Sequence, residues 1–594
     1  MTRRPGPAAL ALAPALLAAA CAAACAAGAP GDGATLRGRS GAPGVATLRG
    51  RSGAAPALPA PPADPTFSGD VAPILYRNCV SCHYPGGSAP FSLLGYEDAR
   101  ARADRIAEAA ARRHMPPWLP EPGYGRFAGE RRLSDAEIAT LRRWAAAGAP
   151  PGDPSRTPPP PEPPKDGWRL GEPDLVLELP ALDVPAQGRE AFRNLVVAVP
   201  VRQTVWVRAV ELLPGAAPRV VHHARLMVDT TASSRTLDAA DPEPGFDGMD
   251  VATNATNPEG FFVGWTPGKV AVPDGSGLAW PLRPGADLVL QLHLRTTGRP
   301  ERVQPRIGLH LAPAPPTRRP SILMLGSEAI DIPAGDTAYV VADEYRLPVP
   351  VDVLGLYPHA HYLAREMLAW ATLPDGQRRW LLRIPDWDFN WQDEYRYAEP
   401  VHLPAGAVVA MRFTYDNSAA NRRNPNRPPR RVTYGPTSTD EMGDLVVQVL
   451  AGGEAARRTL EHDVEWGHEV AKMERRAREA SARADTLAAA GHLDEALALY
   501  REAVRLANSP RAMAAMARIL LRQGDVATAI LAAERAATLT ARADPRILDA
   551  LAAAYRAAGR TREAEAAARE AVRAAERAGE RALADSLRSG RTRD

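Results

Sequence analysis

Five histidines and one methionine in the middle of the chain have the types and spacings of metal ligands. In LGLYPHAHYLAREM, from Leu354, His359 and His361 stand two residues apart. On a strand, side chains at i and i+2 share one face, so the pair can present two imidazoles to one ion. RVVHHARLMVD supplies His222 and His223. Adjacent residues on a regular strand face opposite ways, so both can reach one ion only if the strand bulges or twists there. DLVLQLHLRT supplies His293: Leu288, Leu290, Leu292 and Leu294 form one face, Gln291 and His293 the other. TSTDEMGDLVVQ places Met442 just before the last strand of the region. Imidazole suits zinc, copper and iron, whereas a thioether favours Cu(I) and is rare at zinc. A His-His-Met set therefore reads as a redox copper site.

A second chemistry lies upstream. Cys79-Val80-Ser81-Cys82-His83 is the C-x-x-C-H pattern of c-type haem attachment. Two thiols one helical turn apart can each form a thioether to a haem vinyl group, and His83 can reach the iron as an axial ligand. A redox or zinc pair would not need His83 next door. Met115 in RRHMPPW is the candidate second axial ligand, held in an extended loop by the following prolines, with His114 as its rival.

The elements that must position these groups can be read from pattern and punctuation. Met1 to Ala27 has Arg3 and Arg4 before an apolar Ala/Leu run, a secretory signal pattern. LLAAAC, ending at Cys21, resembles a bacterial lipoprotein box, with Cys25 as a second candidate for lipidation. The same run could instead stay as a membrane anchor. This predicts an exported protein of the periplasm or cell envelope. Residues 28–63, with ATLRGRSGA repeated in tandem, read as a flexible linker. Residues 64–151 form a first folded unit, in which LSDAEIATLRRWAAAG has a Ser134 cap, Glu137 three residues on and a Gly148 stop. The unit resembles a small all-α class I cytochrome c, its last helix packed on the one carrying the haem motif. The Pro-rich stretch 152–167 predicts a stiff spacer that holds this unit away from the β region.

From 168 to 452, short alternating runs such as LVLEL, TVWVRAVEL and VVAMRFTY predict an all-β region. Its length asks for two sandwiches, jelly-roll-like, at 168–318 and 319–452. A helical linker (453–478) and helical repeats (479–590) complete the chain. GHLDEA from Gly491, GDVATA from Gly524 and GRTREA from Gly559 recur after 33 and 35 residues, the tetratricopeptide period. Such arrays bind a protein or peptide partner, or brace their neighbour.

Composition excludes some classes. Lys+Arg 72 against Asp+Glu 69 leaves a net charge of +3, with no long basic run, so nucleic acid is not an expected partner. The four cysteines are Cys21, Cys25, Cys79 and Cys82, so nothing beyond residue 82 can form a disulfide.

In chain order, His222-His223, Leu290-Gln291-Leu292-His293, His359-Ala360-His361 and Asp440-Glu441-Met442 resemble the copper type II, ascorbate-dependent monooxygenases. That family includes peptidylglycine α-hydroxylating monooxygenase and dopamine β-monooxygenase. The resemblance covers roughly Trp168 to Ala451. It implies two copper ions: an electron-transfer copper on His222, His223 and His293, and an O2-binding copper on His359, His361 and Met442. Each would belong to one sandwich, with a solvent-filled cleft between and Gln291 near the electron-transfer route. Where peptide-hydroxylating members clamp a carboxylate, this chain has Tyr357 and Asp444. An acidic Asp444 would repel a carboxylate, so a glycine-extended peptide is not the expected substrate. The expectation is an exported monooxygenase that hydroxylates an organic substrate with O2. Electrons would come from an ascorbate-like donor or another cytochrome, through one covalent haem c, to the His222 copper. The alternatives are a haem and copper electron-transfer or copper-handling protein with partner-binding repeats, and a non-enzymatic scaffold.

Overall fold

The computed structural model describes residues 62–589, apart from 163, 189, 216, 249–254 and 270–276. The signal, lipidation (Cys21, Cys25) and tether readings lie outside the described residues. Among these, no helix is long and apolar enough to cross a membrane.

The first unit is helical. Helices Ala72–Asn78, Ala103–Ala111 and Asp135–Ala146 enclose Leu75, Leu141 and Trp144. Ser134 and Glu137 form a reciprocal capping box, which fixes where the last helix begins. The ends of the unit are tied: Phe67 N and Trp144 Nε1 both donate to the Pro150 carbonyl. An Arg77–Glu137 ion pair joins the first and last of these helices.

The spacer does not keep this unit apart. Phe127 pairs with Tyr397 and is buried in the core of the second β region. Glu121 N donates to the Arg383 carbonyl, and Trp118 and Leu119 pack on the same core. The reason is apolar area. The short helices of this unit cannot cover Trp118, Leu119 and Phe127, and docking onto a sheet removes them from water.

Two β regions come next, each with two larger antiparallel sheets facing one another and a two-stranded pair besides. In the first, strands Leu175–Glu178, Arg306–Leu311, Val205–Leu213 and Trp280–Leu282 form one sheet. Strands Ala191–Ala198, Asp287–Leu294 and Val221–Asp229 are central to the other. Leu177, Val207 and Leu309 meet Leu195, Leu226 and Leu290 in one core. In the second, strands Ser321–Gly326, Gly443–Ala451, Val351–Ala360 and Tyr395–Leu403 oppose Tyr339–Arg346, Val408–Tyr415, Ala364–Thr372 and Arg378–Ile384. There Leu323, Leu356 and Val447 meet Val341, Met367 and Phe413. The period of two sends alternate side chains into each core and leaves the others for the site.

The C-terminal part is helical. Helix Glu454–Ala489 runs unbroken through the expected boundary at 478–479, because nothing in that stretch stops a helix. Leu460, near its start, is buried in the second β core. Helix pairs then turn at Gly491, Gly524 and Gly559, whose φ values of +88°, +83° and +72° suit glycine. Ala496, Ala529 and Ala564 are buried where the following helix packs.

Candidate metal centres

His222 and His223 sit on strand Val221–Asp229, paired with the His293 strand. The register runs His293↔His223 and then Leu294↔Val221, so His222 is the extra residue of a β-bulge. The bulge turns both imidazoles to one side. The ligand atoms of His222, His223 and His293 all lie within 4.8 Å of one another. His222 Nδ1 and His223 Nδ1 are 3.1 Å apart, close to the ~3.3 Å expected of two nitrogens at ~2.0 Å from a tetrahedral ion. His293 Nε2 lies 3.1 Å from Glu190 Oε2, which orients the ring. His222 Nε2 and His293 Nδ1 are buried with no hydrogen-bond partner among the described residues. Burial lowers His222 to about 3 and takes His223 well below the usual imidazole range, with help from neighbouring imidazoles. Neutral, converging rings with unpaired buried nitrogens fit a metal ion.

The second set forms where strand Val351–Ala360 pairs with Gly443–Ala451. His359 lies opposite Asp444 and Ala360 opposite Gly443, and continuing that register sets Met442 beside His361. The His359 and His361 rings are 5.3 Å apart at 86°. His361 Nδ1 donates to the Asp440 carbonyl at 3.1 Å. His359 Nδ1 donates to Gln392 Oε1 at 2.6 Å, while Gln392 Nε2 donates to the Phe389 carbonyl. Both rings therefore keep Nε2 for a ligand, the tautomer a metal needs. Burial lowers His359 to about 4 and His361 to about 3. Glu441 is fully buried. It accepts from His361 N at 2.8 Å, Met442 N at 3.0 Å and Leu363 N at 2.7 Å. Sequence alone does not mark Glu441 or Gln392 as a supporting residue. The DEM triplet contains the first, and no local signal points to the second.

The two sets approach closely. Phe389 stacks on His222 at 4.8 Å and meets His361 edge-on at 5.5 Å. The phenyl ring of Phe389 occupies this point of approach. Gln291 is buried beside His293 on its strand and donates to Asn194 Oδ1. Tyr357 stacks on Phe262 at 4.3 Å. Asp444 is raised by burial to about 6 and feels the charge of Arg225.

The C-x-x-C-H residues continue from helix Ala72–Asn78 as a tight turn, with His83 N donating to the Cys79 carbonyl. Cys79, Cys82, His83 and Met115 line one cavity, closed from the β side by Pro267 and Trp391. His114 is exposed outside it, edge-on to Trp391 at 6.5 Å. His83 Nδ1 donates to the Phe91 carbonyl at 3.1 Å, which leaves Nε2 for a ligand. Both cysteines are free, and burial pushes the Cys79 thiol up to about 12. Two thiols, an imidazole and a thioether around one cavity are a donor set that fits a c-type haem.

No protein-family model matches the chain, and no curated protein does. Solved structures give partial matches. The first TPR of Spaghetti (RPAP3), bound to HSP90 peptide SRMEEVD, is 18% identical, with 19% of this chain and 94% of that one covered at a TM-score of 0.17. The Sgt2 TPR domain from Aspergillus fumigatus is 18% identical, with 19% and 75% covered at 0.18. The infectious bursal disease virus Gx strain structure is 10% identical, with 48% and 74% covered at 0.15.

Proposed function

We propose that the chain is an exported, copper-dependent monooxygenase that hydroxylates an organic substrate with O2 and carries its own haem electron donor. The observation that carries this is one arrangement. Three imidazoles have ligand atoms within 4.8 Å of one another, one phenyl ring away from a second pair that keeps Nε2, with Met442 set opposite His361 by the strand register. Copper at these sets would supply one-electron redox chemistry and O2 activation. The chain's own residues hold and orient. His222, His223 and His293 would take one ion, with Glu190 fixing His293. His359, His361 and Met442 would take the other, with Gln392, Asp440 and Glu441 fixing ring tautomer and strand position. Cys79, Cys82, His83 and Met115 would hold the haem.

In this reading the helical unit is a class I cytochrome c and the β regions are jelly-roll-like sandwiches. The C-terminal helices are tetratricopeptide repeats that bind a protein or peptide partner, and Cys21 is the lipidation site. The deciding experiment measures copper per covalent haem in the purified exported protein, then O2-dependent hydroxylation across a substrate panel. Two coppers per haem are expected, with hydroxylation lost in His361→Ala and Met442→Ala. Hydroxylation that survives both changes sinks the assignment. Haem oxidation indifferent to O2 and substrate would favour an electron-transfer protein.

A further inference from the structure

The loop between strands Arg378–Ile384 and Tyr395–Leu403 touches all three donor sets. Trp391 walls the cavity of Cys79, Cys82, His83 and Met115. The next residue, Gln392, is 2% exposed and bonds His359 Nδ1 at 2.6 Å. Phe389 packs on His222 and His361. The loop is pinned to the helical unit by Arg131–Asp393 at 2.7 Å, with both side chains largely shielded. Lys269–Glu394 at 3.3 Å ties it to the first β region.

We propose that Trp391 and Gln392 form the electron path out of the haem cavity, and that the electron arrives first at the His359–His361–Met442 set. This rests on the haem and copper reading above, and reverses the order that the family resemblance implied. The two directions out of Trp391 are unequal. Gln392 is buried, makes two side-chain hydrogen bonds and touches a ligand ring directly. Asn390, on the other side of Trp391, also reaches His222 through its side chain, but it is exposed where Gln392 is buried. The loop's other contact with the His222 set is the Phe389 stack. A short, buried, hydrogen-bonded link holds its geometry, and an exposed side chain does not. The step moves one electron: a c-type haem iron goes from Fe(II) to Fe(III) and one Cu(II) becomes Cu(I). No bond forms or breaks.

The test uses the full chain loaded with haem and copper, without O2. One electron is injected photochemically into the haem, and haem absorbance follows its reoxidation. Copper and haem content are measured first on every variant. The fast phase should be lost in His359→Ala, Trp391→Leu and Gln392→Ala. It should persist in His222→Ala and Asn390→Ala and be restored in Trp391→Phe. If Gln392→Ala loses copper, Gln392→Glu, which keeps an acceptor oxygen, replaces it and should retain the fast phase. A fast phase lost in His222→Ala but kept in His359→Ala overturns the path and leaves the monooxygenase reading standing. So does a fast phase untouched by Trp391→Leu and Gln392→Ala at full metal load. A wild-type chain that binds no copper sinks the monooxygenase reading and the path together.

Discussion

Glu441 Oε2 lies 2.8 Å from the His361 amide and 3.0 Å from the Met442 amide, so one buried carboxylate joins the two arms of the second donor set. Glu441→Ala removes the acceptor of these amides and of Leu363 N. Each buried N–H left without a partner costs about 1–3 kcal/mol. A thermal melt should show a clear loss of stability, and copper should fall to one per chain. Glu441→Gln keeps one acceptor oxygen and should lose less. An unchanged melt with two coppers retained would contradict this role.

The two donor sets belong to different β regions, so the ions proposed for them should be removable singly. His293→Ala is expected to leave one copper held by His359, His361 and Met442. His359→Ala should leave the one held by His222, His223 and His293. Elemental analysis with the copper spin-resonance spectrum of each variant checks this. Loss of both ions from either variant would mean one shared site.

Acid should destabilise the metal-free protein. His222, His359 and His361 have folded values of about 3, 4 and 3, below the free value of 6.5. Between those values and 6.5 the unfolded chain binds protons that the folded chain does not. Stability therefore rises with pH across that window and is lost as pH falls from 6.5 toward 4. The limiting slope is about 1.4 kcal/mol per pH unit for each proton. Thermal melts between pH 7.5 and 4.5 should fall accordingly, and less steeply in His361→Asn.

Gly268 has φ +85°, and a Cβ there would lie 2.5 Å from Cys82 Sγ. Gly268→Val adds about 1–2 kcal/mol of backbone strain and pushes the loop off the haem motif. Covalent haem per chain, read from absorbance, should drop. A normal haem yield would show that the contact yields easily.

Phe389 is 2% exposed between His222 and His361. Phe389→Ala should cost about 3–5 kcal/mol and admit water between the sets. Lower copper retention on dialysis, at both sites, is the expected readout.

The sequence by itself determined the donor inventory and the face each donor occupies. His293 lies opposite Leu288, Leu290, Leu292 and Leu294 because strand side chains alternate. The Ser134–Glu137 cap and the glycine turns at Gly491, Gly524 and Gly559 were legible because their interactions span few residues. Tertiary structure alone decided how donors meet. The bulge that turns His222 and His223 together exists only in the pairing with the His293 strand. Glu441 and Gln392 reach their histidines across 80 and 33 residues of chain. The docking of Phe127 and the placing of Trp391 against the cavity of Cys79, Cys82, His83 and Met115 depend on apolar surface that neither partner can cover alone. Periodicity records which face of a segment is buried. It carries no record of the partner that buries it, because that choice is made by the summed contacts of distant segments against the entropy of closing the loops between them.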